Sequence, residues 1–188
     1  MQRQLSDSRA IAIAERVISS SNRAQPADAV LRAELQGGRY APESGSEASH
    51  YVFSYYRWRG WLDFREPLPA QILSAASLAQ RFAKNPSSFS GDELVRRCVP
   101  EWIHREFEVS PALARSLQTE PRLWLRARTG TGPELARDLG DCAAFGAGAL
   151  GDTLQYQGSQ DLFRTAQFHK GQFEIQDISS QAVGLICD

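Results

Sequence analysis

The feature that most constrains the fold is a change in the spacing of apolar residues near residue 120. Before this point they recur every three or four positions, as on one face of an α-helix. After it they alternate with polar residues in short runs, as on a half-buried β-strand. This order predicts an α+β fold, with a helical bundle over residues 1–118 and a small α/β subdomain over residues 119–188.

Five or six short helices are predicted in the first part of the chain. Their starts carry N-caps or capping boxes at Ser6 or Asp7, at Ser44 with Glu47, and at Ser90 with Glu93. The segment QPADAVLRAELQGG ends in a stop signal at Gly37 and Gly38. PEWIHREF and SPALARSLQ each open with Pro at the first position of a helix.

The second part of the chain predicts the element order β-α-β-β-α. EPRLWLRART alternates as a strand, GPELARDLG has the pattern of a short helix, and DTLQY and QFEIQ are strand candidates. DISSQAVGLIC predicts a helix with Asp177 as its N-cap.

Composition excludes some classes of protein. The chain is 42% hydrophobic and 23% charged, which is typical of a globular protein, and its net charge of −1 provides no global basic field. No run of apolar residues reaches the length of a membrane span. The cysteines at 98, 142 and 187 lack CxxC spacing, so we expect a reducing, cytoplasmic environment.

No metal site or catalytic centre is predicted. The three histidines, His50, His104 and His169, have no i,i+4 partner or zinc-like Cys spacing, and neither a P-loop nor a G-x-S-x-G motif occurs. GAGALG, residues 146–151, is a literal G-x-G-x-x-G, but the following DTLQYQG has the pattern of a strand. A dinucleotide site needs a helix there, so a glycine-rich turn is the favoured interpretation.

Two segments combine aromatic rings with arginines, as in sites that bind RNA. In the predicted strand, Trp124, Arg126 and Arg128 share one face; the alternative is a Trp packed under a helix with two surface arginines. YVFSYYRWRGW interleaves rings with Arg57 and Arg59, but a stripe at helical spacing also fits a bundle core with the arginines directed outward.

Two further segments resemble the bacterial Sun/Fmu-type RNA (cytosine-5) methyltransferases. The first segment, VPEWIHREFEVSPALARSLQTEPRLWLRAR, is similar to that family's P-x-W segment followed by EPPLWLRVN. The second, FHKGQFEIQDISSQAVGLI, is similar to the family's F-x-x-G segment with VQD and SQ. They lie in the family's order and together cover roughly residues 99–186. One departure is Ala127-Arg128, where the family motif has Val-Asn.

The resemblance implies a NusB-like bundle and an RRM-like subdomain that precede an S-adenosylmethionine-binding catalytic domain. It identifies this chain as the N-terminal piece of such an enzyme, without catalytic residues or cofactor of its own. It also implies contact with the missing domain, and we expect the apolar C-terminal tail to be poorly ordered or packed on another molecule.

Ribosomal or transfer RNA is the expected partner. By the resemblance, Arg126, Lys170, Gln176 and Asp177 lie near the cleft, while a plain helix cap is the alternative role for Asp177. The alternative function is a NusB-like protein-interaction module that does not bind RNA.

Overall fold

A computed structural model describes residues 2–36, 39–146, 148–158 and 160–187, without the side chains of residues 2–7, 149 and 185. These ranges contain ten α-helices and one four-stranded antiparallel sheet, which confirms the α+β class. The chain divides into two compact units, Met1–Glu120 and Pro121–Asp188. The predicted Gly37–Gly38 stop signal lies outside the described residues.

The first unit is helical. Its elements are α1 (Gln2–Ser20), α2 (Ala27–Leu35), α3 (Pro42–Arg57), α4 (Leu68–Lys84), α5 (Gly91–Cys98), α6 (Ile103–Glu106) and α7 (Pro111–Gln118), with 3-10 turns at Arg59–Trp61 and Pro86–Ser88. The apolar stripes of α1, α3 and α4 supply most of the core, which includes Ile13, Val17, Val52, Trp58, Ile72 and Phe82. Burial of these stripes is the main force that holds the helices together.

The predicted helix starts have mixed outcomes. The hydroxyl of Ser90 accepts the N–H of Glu93 at the start of α5, as the capping box predicts. The caps at Ser6 or Asp7 and at Ser44 are wrong, because α1 already begins at Gln2 and α3 at Pro42. Pro42 suits the first position of a helix, where its missing N–H has no intrahelical partner, so α3 begins before Ser44.

The aromatic segment YVFSYYRWRGW belongs largely to the bundle core. Trp58 is fully buried, and its ring lies 4.9 Å from Trp61, 5.5 Å from Phe82 and 5.2 Å from Phe89, measured between centroids. This packing agrees with the bundle-core interpretation of the stripe. The segment therefore contributes mainly apolar packing, and its arginines lie at the edge of the core.

The second unit has the order β1 (Leu123–Ala127), α8 (Gly132–Leu139), β2 (Cys142–Ala144), β3 (Thr153–Tyr156), α9 (Ala166–His169), β4 (Phe173–Ile175) and α10 (Ile178–Cys187). The strands lie in the order β2-β3-β1-β4, and each neighbouring pair is antiparallel. The sequence did not predict β2 or α9, because three and four residues are too short to show a period.

One face of the sheet carries the core of the second unit. Leu125 and Leu154 are fully buried on this face, and Leu135 of α8 packs against them. α8 and the residues around α9 therefore cover this face of the sheet. The opposite face carries Trp124 and Arg126. None of the helices within the described ranges is long and apolar enough to cross a membrane.

Candidate nucleic-acid interface

The sheet face opposite the apolar core, here called the second face, carries the aromatic and arginine residues. Residues that pair directly across antiparallel strands share a face, so two rows cross this face. The first row is Phe145, Thr153, Arg126 and Glu174, and the second is Ala143, Gln155, Trp124 and Gln176. Phe145 and Gln176 extend β2 and β4, since their N–H groups donate to the carbonyls of Thr153 and Trp124 at 3.0 and 3.1 Å.

Arg126, Phe145 and Glu174 are the accessible members of the first row. Arg126 is exposed, and within the described part of the chain its guanidinium has no hydrogen bond or ion pair, although Glu174 lies opposite it. Phe145 is 49% exposed. A guanidinium without a hydrogen-bond partner can bind a phosphate, and an accessible ring beside it can stack on a base.

Trp124 is largely buried on the second face. Only 8% of the residue is exposed, and Phe145 packs edge-on against its indole at 4.9 Å and 81°. A buried indole cannot stack on a base until its cover moves. The burial agrees with the alternative of a packed Trp, since apolar contacts with its neighbours replace solvent around the ring, and the predicted RNA contact of Trp124 stays a prediction.

Gln181 of α10 covers Thr153, which is a neighbour of Trp124 on the second face. It is buried, and its amide oxygen accepts the Thr153 hydroxyl at 2.7 Å while its amide nitrogen donates to the Gln176 carbonyl at 2.8 Å. Both bonds fix the start of α10 against the second face. The sequence analysis did not select Gln181 as a site residue, and its only signal was its place at the end of the QDISSQ segment.

Asp177 and Gln176 have structural roles at the start of α10. The Asp177 carboxylate accepts the hydroxyl and the N–H of Ser179 at 2.6 and 2.8 Å, as in a helix cap. The Ser179 hydroxyl, and then its N–H, lower the pKa of this carboxyl. The backbone of Gln176 joins β4 to Trp124. The geometry therefore fits the helix-cap alternative for Asp177.

The guanidinium of Arg128 is hydrogen-bonded to a turn and is not free to bind a ligand. Its guanidinium donates to the carbonyls of Gly171 and Lys170 at 2.7 and 3.0 Å. Gly171 has φ +62°, so the turn requires its glycine. Arg128 thus joins the two segments that carry the family resemblance, and this structural contact occupies the guanidinium that was predicted to contact RNA. The side chain of Lys170 itself is exposed.

The pocket beside this turn does not favour an anion. It is lined by Arg128, Thr131, Glu134, Leu135, Asp138 and Gln172. The carboxylates of Glu134 and Asp138 are part of this lining, and the Arg128 guanidinium already donates to backbone carbonyls. A phosphate would meet net negative charge there.

The glycine-rich segment does not have the geometry of a dinucleotide or S-adenosylmethionine site. Its described residues, Gly146 and Gly148–Gly151, connect β2 to β3 through a three-residue 3-10 turn. No helix N-terminus follows to hold a pyrophosphate. Burial, with the Asp141 charge adding to it, raises the pKa of the adjacent Cys142 thiol, which makes it a poor nucleophile.

No metal centre emerges from the residues that can be described. Across those ranges, no three His, Cys, Asp or Glu side chains lie close enough to hold a metal ion together.

The first unit has an arginine–aromatic surface of its own, formed by Arg59, Trp61, Phe64 and Arg97. The guanidinium carbon of Arg59 lies 5.6 Å from the centre of the exposed Phe64 ring, and that of Arg97 lies 6.0 Å from Trp61. Arg97 also pairs with Glu93 at 3.5 Å. Arg57 is half-buried, and this burial lowers its pKa, so Arg59 is the more accessible of the two predicted arginines.

Comparison of the chain with protein-family models, with curated proteins and with solved structures gives no match. The resemblance to the cytosine-5 methyltransferases therefore stays a prediction.

Proposed function

We propose that this chain binds RNA and presents it to an S-adenosylmethionine-dependent cytosine-5 methyltransferase domain, with ribosomal or transfer RNA as the substrate. The RNA-binding part of this proposal rests on the first row of the second face. In this row Arg126, whose guanidinium has no hydrogen bond among the described residues, and the half-exposed Phe145 lie on either side of Thr153. A guanidinium can bind phosphate or stack on a base, and an aromatic ring can stack on any base.

The order of strands supports this proposal. The β-α-β-β-α-β sequence of β1 to β4, with β1 and β3 in the centre of the sheet, is the arrangement of ferredoxin-like and RRM-like subdomains. RRM domains bind single-stranded RNA on the sheet face that their helices leave free. The second face of this protein is the face that α8 does not cover, although the start of α10 lies against part of it.

The helical unit supplies a second cationic surface in this proposal, as a NusB-like bundle would. Arg59 beside Phe64 has no ion-pair partner among the described residues, so its charge is available to phosphate. The link to methyl transfer rests on the resemblance alone. In that resemblance Lys170, Gln176 and Asp177 lie near the catalytic cleft, and the exposed side chain of Lys170 is compatible with such a role.

A titration with single-stranded RNA tests the proposal. Arg126→Ala should weaken binding of a labelled mixed-sequence RNA of about 12 nucleotides and lower the salt slope by about 1, because one phosphate contact is lost. Fluorescence anisotropy between about 50 and about 200 mM salt measures both quantities.

Arg137→Ala is the matched control for this experiment. Arg137 is also exposed in the second unit, but it lies on α8, which packs against the other face of the sheet. The same loss of affinity in both variants would indicate a general charge effect. Binding by the parent protein that is independent of Arg126 would contradict the assigned face.

A protein-interaction module is the second candidate function. The observation in its favour is the exposure of two large aromatic residues, Trp102 and Phe107, on either side of α6. Aromatic side chains are enriched at protein interfaces. Failure of the chain to bind RNA at low salt would favour this function.

A further inference from the structure

We propose that α10 is a displaceable cover over a single-stranded RNA site on the second face, and that Gln181 is the residue that holds it closed. This inference rests on the proposed function, because it takes RNA as the ligand of that face. It adds that the site has a closed state, described here, and an open state in which the indole of Trp124 is available.

The first argument is that the second face is only partly covered. Phe145 and Arg126, at either side of Thr153 in the first row, are accessible, whereas Thr153 and Trp124 are buried. The covered residues are therefore adjacent to the accessible ones. Opening would join Trp124, Phe145 and Arg126 into one surface with two rings and one guanidinium, a combination suited to stacked bases and phosphate.

The second argument is that polar contacts of one buried side chain help to hold the cover. Of the α10 side chains that the structure describes, only Gln181 is buried. Val183 and Ile186 are 58% and 82% exposed, so the distal part of the helix gains little from apolar burial. The two hydrogen bonds of the Gln181 amide, to Thr153 and to the Gln176 carbonyl, thus contribute to the closed state.

Gln181→Ala in the full chain tests this inference. Each hydrogen bond lost changes an equilibrium constant by about threefold to tenfold, so we expect the variant to bind the same 12-nucleotide RNA about tenfold more tightly. The amides of Ile178–Cys187 should exchange with solvent faster, while those of β1 and β3 should not. Thr153→Val removes one of these two bonds from the sheet side and should give a smaller gain, about threefold.

Ser180→Ala is the control on the same helix, because Ser180 is exposed and adjacent to Gln181. Adding Phe145→Ala or Trp124→Leu to Gln181→Ala should abolish the gain in affinity. If the parent protein binds RNA but the folded Gln181→Ala and Thr153→Val variants bind it no more tightly, the proposal that α10 is a cover is wrong and the proposed function still stands. No binding by the parent or by either variant at low salt would overturn the proposed function and this inference together.

Discussion

At the residue scale, identical residue types have opposite roles according to their contacts. Arg126 lies in β1 and Arg128 directly after it, yet Arg126 is free among the described residues and Arg128 donates to two carbonyls of a distant turn. The glycines differ in the same way. Gly171 needs a left-handed backbone beside Arg128, whereas Gly184 lies within α10 with open space around it.

Gly171→Ala should destabilise the protein by roughly 1–2 kcal/mol, the cost of an L-residue with φ in the left-handed region. Its added Cβ would also lie 3.4 Å from the Arg128 guanidinium, which is a tight contact. Urea unfolding measures the change in the free energy of unfolding.

Gly184→Ala is the contrasting variant for this prediction, since alanine favours a helix over glycine by about 1 kcal/mol. It should leave stability unchanged or raise it. A loss of similar size in both variants would show that the backbone at Gly171 does not cause the effect.

At the element scale, close contacts between backbones decide how elements pack. The 3-10 turn Arg59–Trp61 lies against the end of α5, and a Cβ at Gly60 would be 2.1 Å from the carbonyl oxygen of Arg97. In the second unit, the Asp152 carboxylate accepts the N–H groups of Gly130 and Gly132, both at 2.8 Å, and so holds the loop between β1 and α8. Side-chain movement cannot relieve the contact at Gly60, because the Arg97 oxygen belongs to the backbone.

Gly60→Ala should therefore cost about 3 kcal/mol or more, because overpacking against backbone forces the turn away from α5. It should also disturb the arginine–aromatic surface and weaken RNA binding. Thermal and urea unfolding measure the first effect, and anisotropy measures the second.

Gly45→Ala in α3 provides the matched control for Gly60. Its added Cβ would make only an ordinary contact at 3.5 Å with the Leu35 side chain, and its backbone is helical. We expect stability to rise by about 0.5–1 kcal/mol. Equal tolerance of alanine at both positions would contradict the contact between the turn and α5.

At the scale of the whole molecule, several carboxylates are stabilised in their ionised form. Hydrogen bonds from Tyr40 and then Arg16 lower the pKa of Glu34, and those from Arg65 lower the pKa of Asp63. The bonds from Ser179 lower the pKa of Asp177. A folded pKa below the unfolded value means that ionisation stabilises the fold above the unfolded pKa.

The stabilisation of the fold by these ionised carboxylates should thus be complete near neutral pH. It should decrease as pH falls below about 4, where the carboxylates take up protons. Urea midpoints between about pH 7 and pH 3 measure the decrease. Glu34→Gln should be less stable at neutral pH and lose less stability in acid. A parent midpoint that stays constant down to about pH 3 would show that these pKa values are not lowered.

The amino-acid sequence by itself determined the longer local elements and the α+β class, but not the short β2 and α9. Apolar periods of about 3.6 and 2 distinguish helix from strand within a short window, and the Ser90 and Asp177 caps act over two or three residues. The tertiary structure decided the site. Trp124 is buried, Gln181 bonds to Thr153 across 28 positions, and Arg128 bonds to Gly171 across 43. These contacts depend on strand register and on the placement of α10, which local periodicity does not encode.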